Sequence, residues 1–284
     1  MLDAAPTPFS LGVFAFITLL LLAGSVSRGR FRMPPHTSYF WGFFLLLSVA
    51  DWISFRLAIW LFAGFSFLAL REYFSLVDFR LQDRWGILGA YLSIPFMTYF
   101  IHINWYGMFI ISIPVYAFLL IPFLVAIGGG VSRGAVFSIG AIDLGLFLFA
   151  YCMGHIGYLA YFSVRMAMLL IFTVAVCDLI LRKLLLGKTL LGYMIATLVT
   201  VILTLLVSPW TTIPRIHSAI LGVMVPILVV GGNFTLRGME EDLGVSPDRL
   251  EPGRGLVLNS LKPYLFPAPI VFHYLRWFLH WGNL

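Results

Sequence analysis

Charged residues are scarce in this sequence of 284 residues, because Asp, Glu, Lys and Arg together make up only 11% of it. Soluble domains carry about 25%. With 61% apolar residues, the chain lacks the polar side chains that would cover a water-exposed surface, which excludes a soluble globular domain. The apolar runs are continuous and do not alternate every second residue, which excludes an outer-membrane barrel. We therefore expect an all-α, polytopic membrane helix bundle.

Cysteine is almost absent as well. The two cysteines, Cys152 and Cys177, both lie inside apolar runs, so a disulfide framework or a cysteine-rich metal site is excluded. The sequence also lacks internal repeats, low-complexity tracts and a soluble segment of domain size. Residues 1–284 are predicted to form a single membrane domain, and nucleic acid is not an expected partner.

Apolar stretches of about 20 residues predict ten membrane spans, give or take one. They cover residues 9–26, 38–53, 55–74, 86–103, 106–127, 135–154, 167–186, 189–208, 214–232 and 263–281. The first run is followed by a basic cluster and has no basic residue before it, so we interpret residues 1–35 as a retained helix with a stop-transfer loop and not as a signal peptide.

Basic residues predict the orientation of these spans. If the amino terminus lies outside, strict alternation of ten spans places 14 of the 18 basic residues in inside loops. The remaining four are Arg56, Arg165, Arg215 and Arg276. This asymmetry follows the positive-inside rule and predicts a multi-pass protein of the cytoplasmic (inner) membrane. The long polar stretch 233–262 is expected to be a loop facing the cytoplasm.

Two features near the seventh span admit two interpretations each. Asp178 precedes Arg182 by four residues, which places both on one helix face. Asp178 is either a functional intramembrane carboxylate or half of a structural ion pair. Gly187-Lys188-Thr189 resembles the end of a phosphate-binding loop but lacks its first glycine, so an ordinary basic turn is the simpler interpretation.

Two further groups of residues also have two interpretations each. Cys152, His155 and Asp143 share one predicted span, but without a matching second pair of soft ligands they are better explained as helix-packing polar residues than as a metal site. The segment Pro252-Gly253-Arg254-Gly255 precedes a helix that we expect to start near Pro263. Glycines before a helix amino terminus favour close approach of an anion, although a plain loop explains the same spacing.

Several short segments between residues 40 and 280 form an ordered set. They are Leu70-Arg71-Glu72-Tyr73-Phe74, Asp178 with Gly187-Lys188-Thr189, Gly232-Asn233, Gly244, Pro252-Gly253-Arg254-Gly255, Asn259-Ser260-Leu261-Lys262 and Phe266-Pro267-Ala268-Pro269. In this order they resemble the phosphatidate cytidylyltransferases, also called CDP-diacylglycerol synthases. The resemblance covers roughly residues 40–280. The segment that resembles the signature of the family is 233–262.

The resemblance implies a membrane enzyme that joins CTP to phosphatidic acid, with release of pyrophosphate, in phospholipid biosynthesis. It implies catalytic positions at Asp178, Lys188 and Lys262. It implies substrate-binding positions at Thr189, Asn233, Arg237, Gly253, Arg254, Gly255 and Asn259. Mg²⁺ is expected only if the chain is active, and no residue is assigned as a metal ligand.

This chain departs from the family at the residues that carry the chemistry. Asn233, Asn259 and Lys262 stand where the family has aspartates, and Glu240 and Glu241 stand where it has a Lys-Arg pair. Two functions are therefore expected as alternatives. One is a nucleotidyltransferase with a nonstandard site. The other is a non-catalytic relative that binds phosphatidic acid or another anionic phospholipid and assists a membrane partner or acts as a homodimer.

Overall fold

The computed structural model describes residues 7–8, 10–12, 14–16, 18–19, 37–129, 133–183, 190–245 and 255–279. Nearly all of these residues are helical, and no strand occurs among them. The expected all-α membrane bundle is confirmed at this level.

Residues 37–162 contain seven α-helices. They are α1 (Thr37–Trp52), α2 (Phe55–Leu76), α3 (Arg84–His102), α4 (Tyr106–Ile111), α5 (Phe118–Gly129), α6 (Ala135–Leu146) and α7 (Met153–Phe162). A π-helical turn, Ser112–Ala117, joins α4 to α5, and a second, Phe147–Cys152, joins α6 to α7. Each pair therefore forms one continuous rod.

Residues 164–278 contain the helices that carry the expected site. They are α8 (Val164–Lys183), α9 (Leu190–Thr211), α10 (Arg215–Asp242), α11 (Leu256–Leu265) and α12 (Pro267–Phe278). Helix α8 is central, since it packs against α1, α7, α9, α10, α11 and α12. A polar side chain near the carboxyl end of α8 can therefore reach several other helices.

Six rods in the described part of the chain are long and apolar enough to cross a membrane. They are Phe55–Leu76, Tyr106–Gly128, Ala135–Phe162, Val164–Arg182, Leu190–Thr211 and Arg215–Asp242. This confirms a multi-pass membrane protein but not ten spans. The expected span 9–26 lies largely outside the described residues. The expected span 263–281 is instead covered by α11 and α12, which have 10 and 12 residues.

The prediction of a loop over residues 233–262 is wrong for much of that stretch. Helix α10 continues through this region to Asp242 and spans 28 residues, about 42 Å, which exceeds a hydrocarbon core of about 30 Å. It ends in a Schellman turn, in which Gly244 N–H donates to the carbonyl of Glu241 and Val245 N–H to that of Glu240. Gly244 has a φ of +69°, which suits glycine at this position.

The next helix also begins earlier than expected. Helix α11 starts at Leu256, whereas the proline pattern predicts a start near Pro263. Pro263 instead lies in the second half of α11, and the chain turns at Phe266 before Pro267 opens α12. A proline in a helix removes one N–H and leaves the carbonyl four residues earlier without its helical partner.

Candidate functional site

Three helices bring four of the expected site residues together. Asp178 lies on α8, Asn233 on α10, and Asn259 and Lys262 on α11. Asp178, Asn259 and Lys262 are buried, with at most 8% of each residue exposed. The residues that the sequence motifs predicted from distant segments therefore occupy one place in the fold.

The Asp178 carboxylate has two protein donors. Arg182 Nε lies 2.7 Å from Oδ2, and Asn233 Nδ2 donates to Oδ1 over 3.0 Å. A carboxylate only accepts hydrogen bonds, so Asn233 must present its nitrogen to it. The structural ion pair, one of the two interpretations of Asp178, is present, and it lies inside a larger network.

Arg182 extends that network from α8 to α11. Its Nη1 donates to Oδ1 of Asn259 over 2.8 Å, and its Nη2 donates to the backbone carbonyl of Asn259 over 3.2 Å. That carbonyl lies four residues before Pro263 and has no helical N–H partner for this reason. Arg182 thus satisfies a polar atom that the proline leaves open, which fixes the guanidinium against α11.

Glu240 completes the set from α10. Its Oε1 accepts a hydrogen bond from Asn259 Nδ2 at 3.2 Å, and its Oε2 accepts one from Lys262 Nζ at 2.8 Å. Glu240 is 6% exposed. Burial lowers the pKa of Lys262, and the adjacent Glu240 carboxylate opposes that shift.

These six residues form what we call the polar cluster: Asp178, Arg182, Asn233, Glu240, Asn259 and Lys262. Two carboxylates face two cationic groups, so its formal charge is zero. All four carboxylate oxygens have a donor from the protein. Buried charges are tolerated when they are paired and hydrogen-bonded. The arrangement joins α8, α10 and α11 and leaves no carboxylate oxygen of the cluster without a partner.

A seventh polar residue binds the start of α11. Glu72, on α2, is 4% exposed, and its Oε2 accepts hydrogen bonds from Val257 N–H at 2.7 Å and Leu258 N–H at 2.9 Å. The first N–H groups of a helix need such acceptors and favour a negative charge. The helix amino terminus that the sequence suggested for an anion is therefore bound by a carboxylate of the protein itself.

Glycines allow the backbones near the cluster to approach closely. Gly255, directly before α11, has a φ of +91°, and a Cβ there would collide with Val245. At Gly232, a Cβ would lie 3.0 Å from the carbonyl oxygen of Lys262. These two positions hold α10 and α11 close enough for Glu240 to reach Lys262.

Other expected residues lie apart from the cluster. Arg237 is on α10, but its side chain is 65% exposed and its Nε pairs with Glu241 at 2.9 Å. Lys188, Thr189, Gly253 and Arg254 lie outside the described residues.

The group Cys152, His155 and Asp143 does not form a metal site in the described part of the chain, where no set of three His, Cys, Asp or Glu side chains converges. His155 instead donates from Nδ1 to the carbonyl of Tyr151 at 2.8 Å. The His155 ring also packs against Phe109 on α4 and Phe272 on α12, which are contacts between helices.

Sequence reasoning did not include Glu240, Arg182 or Glu72 among the site residues. Glu240 had a usable signal, because its sign is reversed relative to the resembled family and so is that of Lys262. When two positions of one chain reverse their charge in opposite senses, the two side chains are expected to pair with each other. Arg182 was identified only as a neighbour of Asp178, and its bonds to Asn259 depend on the packing of α8 against α11.

Comparisons with known proteins give little information on function. No protein-family model matches this chain. It is 25% identical, over 294 aligned residues, to the Escherichia coli (strain K12) protein named "Uncharacterized protein YnbB", and the alignment covers 91% of this chain and 95% of that protein. No solved structure matches. The similarity extends over almost the full length of both chains, and the name of the relative states no activity.

Proposed function

We propose that this chain is a membrane protein of the phosphatidate cytidylyltransferase type that binds an anionic phospholipid, phosphatidic acid, and does not transfer a nucleotide. The observation that carries the proposal is the polar cluster. Each of its carboxylate oxygens is already bound by a side-chain donor of the protein.

The donor set of the cluster argues against Mg²⁺. This ion requires oxygen ligands, usually one or two carboxylates together with substrate phosphates. Here Lys262 Nζ lies 2.8 Å from Glu240 and Arg182 Nε lies 2.7 Å from Asp178. A divalent cation at either carboxylate would meet an ammonium or guanidinium group at close range. The residues of the polar cluster therefore do not fit Mg²⁺.

The departures from the resembled family compensate one another. Lys262, in place of an aspartate, pairs with Glu240, in place of a basic residue. Asn233 and Asn259, in place of aspartates, donate to Asp178 and Glu240. All three replacements thus convert an acceptor into a donor that faces a remaining carboxylate. This pattern is typical of an internal substitute for a cation, and it supports a cluster that is stable without metal.

Two lysines that follow Arg182 in the sequence support an anionic ligand. The cluster is neutral, and Lys183 and Lys188 follow Arg182 in a segment, 183–189, that contains no acidic residue. Each basic residue near an anionic lipid surface contributes about 1 kcal/mol of attraction. The resemblance to phosphatidate cytidylyltransferases indicates phosphatidic acid as this ligand.

The test is carried out with purified protein in liposomes. We expect saturable retention of phosphatidic acid over phosphatidylcholine, and no CTP-dependent formation of a CDP-lipid with or without Mg²⁺. Lys183→Ala/Lys188→Ala should weaken retention, with a loss of about 1 kcal/mol of attraction for each lysine at the site that these lysines serve. Arg56→Ala is the matched control, because Arg56 lies sixteen residues before Glu72 on α2, about 24 Å away along the helix.

Two outcomes would overturn the proposal. One is formation of a CDP-lipid that a chelator abolishes in the unmodified protein. The other is equal retention of phosphatidic acid by the unmodified protein and the double lysine variant. The variant Asn233→Asp/Asn259→Asp/Lys262→Asp serves as a metal control, since Mg²⁺ should raise its thermal midpoint but not that of the unmodified protein.

A further inference from the structure

A lateral groove lies between α3 and the rod formed by α4, its π turn and α5. Its volume is about 470 Å³, within the range of small-molecule sites, roughly 300–1,000 Å³. All of its lining residues belong to α3, to the π turn Ser112–Ala117 or to α5. None of them belongs to the polar cluster, so the groove is a separate feature of the bundle.

The groove has a floor of small residues and walls of large apolar residues. Gly89 and Ser93 from α3, with Ser112 and Ala117 from the π turn, form the buried floor, and Leu124 packs onto Gly89. The walls contain Trp85, Leu88, Leu92 and Phe96 on one side and Tyr116, Leu120 and Leu124 on the other. Large side chains that stand beside a small-residue floor leave a channel open to the lipid.

The hydroxyl groups on the floor do not require a polar ligand. Ser93 Oγ donates to the carbonyl of Gly89 over 2.8 Å, and Ser112 Oγ donates to the carbonyl of Phe109 over 2.8 Å. Because both hydroxyls are bonded within their own helices, the interior of the groove is effectively apolar. A hydrocarbon chain suits such a surface better than a polar molecule does.

The length of the groove matches one leaflet. Trp85 and Phe96 mark its ends on α3, and eleven residues of helix span about 16 Å. Half of a hydrocarbon core of about 30 Å is about 15 Å. Trp85 is 54% exposed and follows Arg84, which is typical of a residue at the membrane interface.

Arginines lie at the interfacial end of the groove. Arg84 is exposed directly before Trp85, and Arg133 is exposed in the turn before α6. Arg80 Nη1 donates to the backbone carbonyl of Arg133 at 3.2 Å, which holds the two segments together. Asp83 is buried and pairs with Arg80 at 2.6 Å, while Asp78 is an exposed acidic residue of the same segment. The exposed arginines thus give this end a positive surface.

We propose that the lateral groove holds one acyl chain of an anionic phospholipid, whose phosphate contacts Arg84 and Arg133. The lipid comes from the leaflet at the Trp85 end. Its tail lies along the floor toward Phe96, and its headgroup remains in the interface. The site is independent of the ligand proposed for the polar cluster.

The experiment uses photo-crosslinking in vesicles of equimolar phosphatidic acid and phosphatidylcholine. A benzophenone amino acid replaces Leu92, a wall residue that is 61% exposed, and in a matched control it replaces Phe123, which is 60% exposed and does not line the groove. We expect the adducts at position 92 to favour phosphatidic acid by about tenfold or more, since each arginine contributes roughly fivefold. Adducts at position 123 should follow the composition of the vesicle.

Variants then test whether the arginines cause the preference for phosphatidic acid. Arg84→Gln/Arg133→Gln should reduce the preference at position 92 to the ratio in the vesicle, whereas Asp78→Asn should maintain or increase it. Two results would overturn the inference. One is an adduct ratio at position 92 that equals the composition of the vesicle. The other is a ratio that stays unchanged in the double arginine variant. Lys183→Ala/Lys188→Ala should not alter this ratio, so failure of the groove and failure of the proposed function are distinguishable.

Discussion

Asn233 and Asn259 determine the chemistry of the polar cluster because each presents an amide nitrogen to a carboxylate. Asn233 Nδ2 lies 3.0 Å from Asp178, and Asn259 Nδ2 lies 3.2 Å from Glu240. An ionised aspartate at either position would place two negative charges at this distance, which costs about 5 kcal/mol at an effective dielectric constant of 20. Such a pair needs a cation between its members, whereas the amides remove that requirement.

The ion pair of Lys262 and Glu240 gives the first prediction. In Lys262→Ala, the buried Glu240 carboxylate keeps only Asn259 as a donor, so we expect a loss of about 3–5 kcal/mol of stability. The double variant Glu240→Gln/Lys262→Met removes both charges together and should recover most of this loss. Thermal unfolding in detergent measures both, and a double variant that is no more stable than Lys262→Ala would contradict the prediction.

At the scale of the helices, hydropathy predicted the apolar rods well. The expected span 55–74 corresponds to α2, and 189–208 corresponds to α9, each within three residues. Hydropathy failed where a helix is polar. The end of α10 beyond Gly232 carries the exposed pair of Arg237 and Glu241 one turn apart, and a Schellman turn ends the helix only at Gly244.

The start of α11 could not be predicted from local sequence. Its amino-terminal N–H groups are capped by Glu72, which precedes Val257 by 185 residues. Asp178, Asn233, Asn259 and Lys262, which the resemblance assigned to one site, belong to one network of contacts, and their roles stay a prediction. The contacts between them depend on the packing of α8, α10 and α11, which periodicity does not encode.

The cap on α11 gives the second prediction. Glu72→Ala leaves Val257 N–H and Leu258 N–H without their acceptor in a buried position, and this costs about 1–3 kcal/mol. Hydrogen exchange at these two amides should accelerate, while exchange in the middle of α9 should not change. Glu72→Gln keeps an acceptor oxygen and should show a smaller effect. Equal exchange in Glu72→Ala and the unmodified protein would exclude a capping role.

The turn before α3 gives a prediction on pH. Burial alone would raise the pKa of Asp83, but hydrogen bonds from Arg80 and Ser138 outweigh it and lower that pKa below its ordinary value of 3.8. The folded chain therefore releases this proton at lower pH than the unfolded chain does. The ionised Asp83 stabilises the fold above pH of about 4, and its contribution is lost as the pH falls through the lowered pKa.

The comparison of Asp83→Asn with the unmodified protein checks this sign. The variant should unfold at a lower temperature at pH 7, and the difference in thermal midpoint should shrink as the pH falls below about 4. Asp78→Asn is the control, since Asp78 is an exposed residue of the same segment. A difference that grows toward acidic pH would show that Asp83 does not act as a paired carboxylate.

At the scale of the whole molecule, the bundle has one end with many basic residues and one end with few. The contacts of these basic residues with other helices agree with this division. Arg165, at the start of α8, donates to the carbonyl of Trp210 at the end of α9 over 3.4 Å. Arg276, near the end of α12, lies 3.5 Å above the ring of Tyr106 at the start of α4. Both arginines belong to the four basic residues expected on the minority side. Arg80, Arg182 and Lys262 are on the opposite, majority side.

The positive-inside rule then predicts that the end with the polar cluster faces the cytoplasm. The native cysteines Cys152 and Cys177 are both buried, so an introduced cysteine reports accessibility without their removal. Ser246→Cys reports on the segment between α10 and α11. Ile53→Cys reports on the other end, where the side chain of Ile53 is 63% exposed between α1 and α2. In intact cells, an impermeant maleimide should label Ile53→Cys and leave Ser246→Cys unlabelled until the membrane is permeabilised. The reverse pattern would place the polar cluster and its basic flanks on the other side of the membrane, away from the cytoplasmic leaflet.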